Sequence, residues 1–151
     1  MARLLIVHHT PSPNLHALLD AARSGGNEPS IAGVEVVVRA ALTASPVDVL
    51  EADGYVIGGP ANLGYLAGAV KHFFDTVYYP CLEDTVGRPF AAYLHGNDDT
   101  AGARRALEVI TTGLRWRPMA EVVEVKGEPD GAALEACWNL GATVAATIGE
   151  P

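Results

Sequence analysis

Apolar and polar positions along the chain change period repeatedly, and each change marks off a strand-like or a helix-like segment. Leu4-Leu5-Ile6-Val7, Tyr55-Val56-Ile57 and Phe90-Ala91-Ala92-Tyr93-Leu94 are short runs without charge. Such runs suit strands buried on both faces in the middle of a parallel sheet. Val34 to Arg39 and Glu121 to Lys126 are also strand-like but carry charges at 35, 39, 121, 124 and 126. Those two are expected at the sheet edges, where one side of a strand meets water.

Between the strands the period is helical. Leu15, Leu18, Leu19 and Ala22 share one face. So do Leu66, Ala69, Val70, Phe73, Phe74 and Val77; Ala103, Ala106, Leu107, Ile110 and Leu114; and Ala133, Cys137, Leu140, Val144 and Ile148. Ser12 is placed to cap the first of these helices, with Pro13 as its first residue. Gly25-Gly26-Asn27 and Pro29 are expected to end it. A short helix is expected after Pro46. The helix of residues 66–77 is expected to stop at Tyr78-Tyr79-Pro80, because the residue before a proline avoids the helical region.

Strict alternation of strand and helix implies a parallel sheet with right-handed crossovers. With the charged strands at the edges, the five strands take the order 2-1-3-4-5, in one domain spanning 1–151. The strand order reverses between strands one and three. The loops after Val7 and Ile57 therefore flank one crevice, and the loop after Leu94 completes it. Open α/β sheets bind ligands at such a point.

Charge narrows the partners. Eighteen acidic residues outnumber ten basic ones, for a net charge of −8, so neither nucleic acid nor an anionic membrane surface is expected as a partner. No apolar run approaches the ~20 residues of a membrane span, and the first residues read as a strand rather than a signal peptide. Cys81 and Cys137 share no short spacing, which fits a reducing, cytoplasmic setting.

The three loops are short of cations. His9-Thr10-Pro11-Ser12-Pro13-Asn14 runs into a helix N-terminus, whose free N–H groups and dipole attract anions. Thr10, Ser12 and Asn14 add neutral donors. The Gly-Lys-Ser/Thr of a nucleotide-binding P-loop is absent, so a phosphomonoester fits better than ATP with magnesium. An ordinary capped turn without a ligand is the alternative. Gly58, Gly59, Pro60 and Gly64 let backbone approach a flat ligand, or simply make a turn. Gly96 and Asn97 suit a tight turn, and Asp98 and Asp99 read as a solvated pair.

Other groups have ordinary readings. His8, His9 and His95 fall near one end of the sheet, but adjacent strand residues point to opposite faces, so no metal site is expected. His72 and Asp75 are spaced for a surface pair. Cys81 reads as a loop thiol whose acidic neighbours disfavour thiolate, and Cys137 as a core residue. Arg104, Arg105, Arg115 and Arg117 read as a solvated face, or as a site for a 2′-phosphate or an acidic partner. Tyr65, Tyr78, Tyr79 and Trp116 could cap a flat ligand or build a subunit contact.

The stretch from Ala52 to Asp75 resembles the signature of flavodoxin-like FMN proteins, and among them the NAD(P)H-dependent FMN and quinone reductases. The resemblance rests on Asp53, Gly54, Gly58, Pro60, Gly64, Gly68, Lys71, Phe74 and Asp75 at the family's spacing. Val7 to Leu19 and Gly87-Arg88-Pro89 extend it over nearly the whole chain. It implies a flavodoxin-like three-layer α/β/α sandwich with FMN as cofactor. His9, Thr10, Ser12, Asn14 and Leu15 would form the phosphate loop. Pro60, Ala61, Asn62, Leu63 and Gly64 would line the isoalloxazine ring, and His95, Gly96 and Asn97 would close its other side. The implied activity is hydride transfer from NAD(P)H to flavin, then electron transfer to a quinone, a free flavin or a protein. The chemistry is the cofactor's, so no catalytic side chain is expected. The resemblance also implies homo-oligomers, with Tyr78–Asp84 as a candidate contact.

The chain departs from the pattern at Pro13, Leu15 and Asn62, which stand where glycine, threonine and a bulky side chain are frequent. Weaker FMN binding is the expected result. Three other readings share the strand order: a non-enzymatic FMN electron carrier, a flavin-free interaction module, and a phospho-receiver domain. The last lacks its acidic residues here, where His8-His9 and Gly58-Gly59 stand.

Overall fold

The three uncharged runs lie side by side at the centre of one sheet in the computed structural model, which describes residues 1–151. The elements in chain order are β1 (Ala2–His8), α1 (Pro13–Gly26), β2 (Val34–Ala40), α2 (Pro46–Glu51), β3 (Gly54–Asn62), β4 (Tyr65–Leu66), α3 (Gly68–Cys81), β5 (Pro89–Gly96), α4 (Ala101–Leu114), β6 (Arg117–Pro118), β7 (Val123–Lys126) and α5 (Gly131–Ile148). β2, β1, β3 and β5 are parallel neighbours in that order, and β6 and β7 both pair with β5. This is the expected order with its fifth position split. β6 pairs with Pro89 and Phe90, β7 with Tyr93 to Gly96.

The sheet thus has seven strands rather than five. Pro118 has no N–H to continue a ladder, and the chain leaves the sheet edge until Val123, two residues later than the charge pattern suggests. The other added strand, β4, folds back on the end of β3.

Side-chain alternation builds the layers. Leu5, Val7, Tyr55, Ile57, Ala92 and Leu94 face one way, into a core shared with Val49 of α2, Phe73 and Phe74 of α3 and Leu107 of α4. Leu4, Ile6, Val56, Ala91 and Tyr93 face the other way, against Leu15 and Leu18 of α1 and Leu140 and Val144 of α5. No helix is long and apolar enough to cross a membrane.

Two helix ends differ from expectation. Gly25 and Gly26 lie inside α1, and Asn27 caps it. Gly25 faces α5, where a Cβ would collide with the Trp138 carbonyl, as one on Gly141 would with the Ala22 carbonyl, while a Cβ on Gly26 would press on Leu4 and Val36 of the sheet. Close packing against α5 and the sheet, not helix termination, is what requires them. α3 likewise continues through Pro80 to Cys81. Pro80 is exposed near the helix end, where a lost hydrogen bond is cheap, and burial of Cys81 draws in one more turn. The Cys81 thiol is therefore not in a loop. It is fully buried, and burial raises its pKa, which makes it a poor nucleophile.

Trp116 also belongs to the core. Its ring stacks on Tyr55 at 4.2 Å, and its Nε1–H donates to Thr85 Oγ1 at 2.9 Å. It sits beside Phe90 at the start of β5, at the opposite end of the sheet from the three loops. Arg88 donates to the carbonyls of Leu50 and Ala52 at 3.0 and 2.8 Å, satisfying the end of α2.

Candidate functional site

The first loop leaves β1 over the end of the sheet, tied there by the His9 N–H to the Gly58 carbonyl at 3.0 Å. Ser12 then starts α1: its backbone is extended, its Oγ accepts from the Leu15 N–H at 3.2 Å, and Pro13 opens the helix. The turn and cap bonds include none from the backbone N–H of Thr10, Ser12 or Asn14. Pro11 and Pro13 have no N–H to offer and fix the backbone between those donors. The loop is a stiff series of free donors at the positive end of a helix dipole, which is what a phosphate requires.

Thr10 Oγ1 lies 2.7 Å from His8 Nδ1. Burial chiefly, then the neighbouring His9 and His16, lowers the His8 pKa, which favours the neutral ring. His8 lies on the face of Leu4 and Ile6, and His9 beside Gly59 on the opposite face, as alternation requires. Thr10 and Ser12 line a depression of about 590 Å³ with His16 and Asp20, which pair at 3.2 Å. Asn14 is half-buried at its edge. Leu15 turns its side chain into the core, so it serves the loop only through its N–H.

The second loop is a continuation of β3. Gly58, Gly59 and Pro60 are buried strand residues. A Cβ on Gly58 would collide with the Tyr93 ring, and one on Gly59 would press on Val70. These two glycines therefore admit the protein's own side chains, not a ligand. Beyond them Ala61 and Asn62 pair with Leu66 and Tyr65, and the turn is Leu63-Gly64. Both turn residues have positive φ, 52° and 74°, the signature of a two-residue type I′ hairpin. Leu63 holds this conformation with its side chain fully in water, an unusual state for a bulky residue. α4 braces the turn, since Gly102 packs so closely on the Gly64 carbonyl that a Cβ there would collide.

The hairpin and the third loop enclose a crevice of about 330 Å³ lined by Ala61, Leu63, Gly64, Gly96, Asn97, Asp98 and Asp99. That is within the usual size range of small-molecule sites, roughly 300–1,000 Å³. His95 does not reach it. Its ring is buried, and Nε2–H donates to the Gly127 carbonyl at 2.8 Å, fastening the end of β5 to the turn after β7. Pro60 lies below the crevice in β3, and Asn62 is exposed on the hairpin.

The structure thus brings together Ala61, Leu63, Gly64, Gly96 and Asn97, with Thr10 and Ser12 in the neighbouring depression. Asp98 and Asp99, read as merely solvated, line the crevice as well. Asp99 also accepts from the Ala101 N–H at 2.9 Å at the start of α4. Their place between a Gly-Asn turn and a helix start was the available signal. His16, one turn beyond Ser12, was missed too. The expected His72–Asp75 pair is replaced by Lys71 and Asp75 at 2.6 Å. Arg104 is engaged by Glu108 and Glu124 at 3.3 and 3.1 Å.

A flavodoxin from the domain Archaea superposes on 97% of this chain and 98% of its own, with a TM-score of 0.82 at 19% identity. The chain has the flavodoxin fold. The flavodoxin, WrbA-like protein of Agrobacterium tumefaciens gives the same result, with a TM-score of 0.78 at 15% identity over 98% of both chains. In sequence, the flavodoxin of Aquifex aeolicus (strain VF5) is 32% identical over 77 residues, which are 51% of this chain and 40% of that protein. The match therefore spans less than half the length of the curated relative. No family model matches the chain. These likenesses fix the fold.

Proposed function

We propose that the chain binds FMN across the strand-order reversal and transfers electrons through it. The observation that carries this reading is the stiff donor loop of residues 10–14 beside the 61–64 and 96–99 crevice, at the carboxyl ends of the central strands of a flavodoxin fold. The donor set fits the group. The hydroxyls of Thr10 and Ser12 and the N–H groups of Thr10, Ser12 and Asn14 would hold the phosphate. The hairpin and the Gly96-Asn97 turn would flank the ring, largely through main chain. Bound FMN supplies hydride and single-electron transfer, which no side chain of this chain offers. The protein's part is placement and electrostatics. Two carboxylates and no cation line the crevice, so negative charge arriving there is disfavoured. Asp98 and Asp99 would therefore lower the reduction potential of the bound group.

For the donor we propose NAD(P)H, with a quinone, a flavin or a protein as acceptor. A second reading, an electron carrier that needs a separate reductase, is favoured by the partial likeness to the Aquifex flavodoxin. Anaerobic mixing of the FMN-loaded protein with NADPH or NADH separates the two. Prompt bleaching of the flavin band supports direct reduction. A stable oxidised spectrum, reduced only when a flavodoxin reductase is added, establishes the carrier.

A further inference from the structure

The hairpin that walls the crevice has a second side. There, between β4, α3 and α4, Tyr65, Lys71, Arg105, Ala106, Val109 and Ile110 line a separate groove of about 360 Å³. Its floor is apolar and open: Tyr65 is 48% and Val109 65% exposed. Its polar groups are cationic. Arg105 makes no ion pair or hydrogen bond within the chain, whereas Arg104 beside it is held by Glu108 and Glu124. Lys71 pairs with Asp75 on its own helix, which leaves Arg105 as the uncompensated charge. On a protein of net charge −8, an apolar groove with a free guanidinium is a place where an anion finds a partner. Apolar contact with a few convergent polar groups is the usual make-up of a small-ligand site, and a guanidinium selects carboxylate, sulfonate or phosphate.

We propose that this groove binds an anionic aromatic small molecule, a planar ring system bearing one such acidic group. Gly64 belongs to the crevice and Gly102, packed against its carbonyl, to the groove, so only the hairpin's thickness separates the two sites. The link to electron transfer rests on the FMN reading, under which a flavin acceptor carrying a phosphate belongs to this class. The groove itself does not depend on that reading.

Two fluorescent probes that differ by one sulfonate test the assignment: 1-anilinonaphthalene-8-sulfonate and its neutral parent N-phenyl-1-naphthylamine. Each is titrated into the native protein, with thermal melts confirming that all variants are folded. The anionic probe should bind saturably at one site and more weakly at high salt. Arg105→Ala should weaken it about tenfold, the value of one charge-assisted contact, and leave the neutral probe within about twofold. Val109→Asp should weaken both. Unchanged binding of the anionic probe in either variant overturns the proposal, as does an equal loss of both probes in Arg105→Ala. FMN titrated in parallel keeps the two claims apart. Failure of the wild-type protein to bind FMN removes the flavin reading alone, and failure of the Arg105 test removes the groove alone.

Discussion

Replacing Ser12 with aspartate separates the two roles that the structure gives this residue. Ser12 Oγ caps α1 by accepting from the Leu15 N–H at 3.2 Å, and under the FMN reading its hydroxyl and N–H also face the phosphate. Aspartate caps as well as serine does, and a carboxylate at a helix N-terminus gains about 0.3–1 kcal/mol from the dipole. Ser12→Asp should therefore melt within about 2–4 °C of the parent, the shift that about 1 kcal/mol produces in a domain of this size. Ser12→Ala loses the cap and about 0.5–2 kcal/mol; the long 3.2 Å bond points to the lower half of that range.

Phosphate binding moves differently. Either change removes one hydrogen bond to a charged group, about 1.5–3 kcal/mol or roughly 10- to 150-fold in Kd. Aspartate adds repulsion at contact distance, so its loss should exceed about 100-fold. The assay is FMN titration followed by quenching of flavin fluorescence, with a thermal melt of the same samples. The expected pattern is stability in the order Asp at or above Ser above Ala, and FMN affinity in the order Ser above Ala above Asp. Ser12→Asp that binds FMN as well as the parent would refute the placement of the phosphate at this loop.

Three further outcomes follow from the packing and the charges. Gly141→Ala should destabilise by about 1–3 kcal/mol despite the better helix propensity of alanine, because the Ala22 carbonyl occupies the space; chemical denaturation reads it, and a gain in stability would contradict the close α1–α5 approach. Gly102→Ala should displace the hairpin from α4 and alter the amide chemical shifts of residues 61–66 while leaving those of β1 and β2 in place. His8 has its pKa lowered from 6.5 in the fold, so the unfolded chain binds more protons there. Stability therefore rises with pH up to about 6.5 and is lost as pH falls through that value toward the folded pKa. His8→Gln should flatten this slope just below about pH 6.5, and an unchanged slope would show that other groups carry it.

Much of the fold was legible in the sequence because charge marks strand position so cleanly here. The uncharged runs at 4–7, 55–57 and 90–94 are central, and the charged runs are at the edges. The two-residue strands were not legible, since pairs such as Tyr65-Leu66 and Arg117-Pro118 carry no periodicity. Local rules misplaced the end of α3, where burial of Cys81 overrides the proline at 80. For the site, spacing found the right loops but not the direction of each side chain. Leu15 and His95 turn into the core, and Gly58 and Gly59 make room for Tyr93 and Val70. Glycines that admit a ligand and glycines that admit a neighbouring side chain look the same in a sequence. The uncompensated Arg105 shows the same limit: of two adjacent arginines, only the fold reveals which one finds acidic partners.

Titration of the purified protein with FMN and, separately, with riboflavin tests the central claim most directly, because the two differ only in the phosphate that loop 10–14 is built to hold. Saturable one-to-one binding of FMN, with riboflavin weaker by at least about tenfold, is the predicted result. Equal affinity for both, or no binding of FMN at high micromolar concentration, would contradict it.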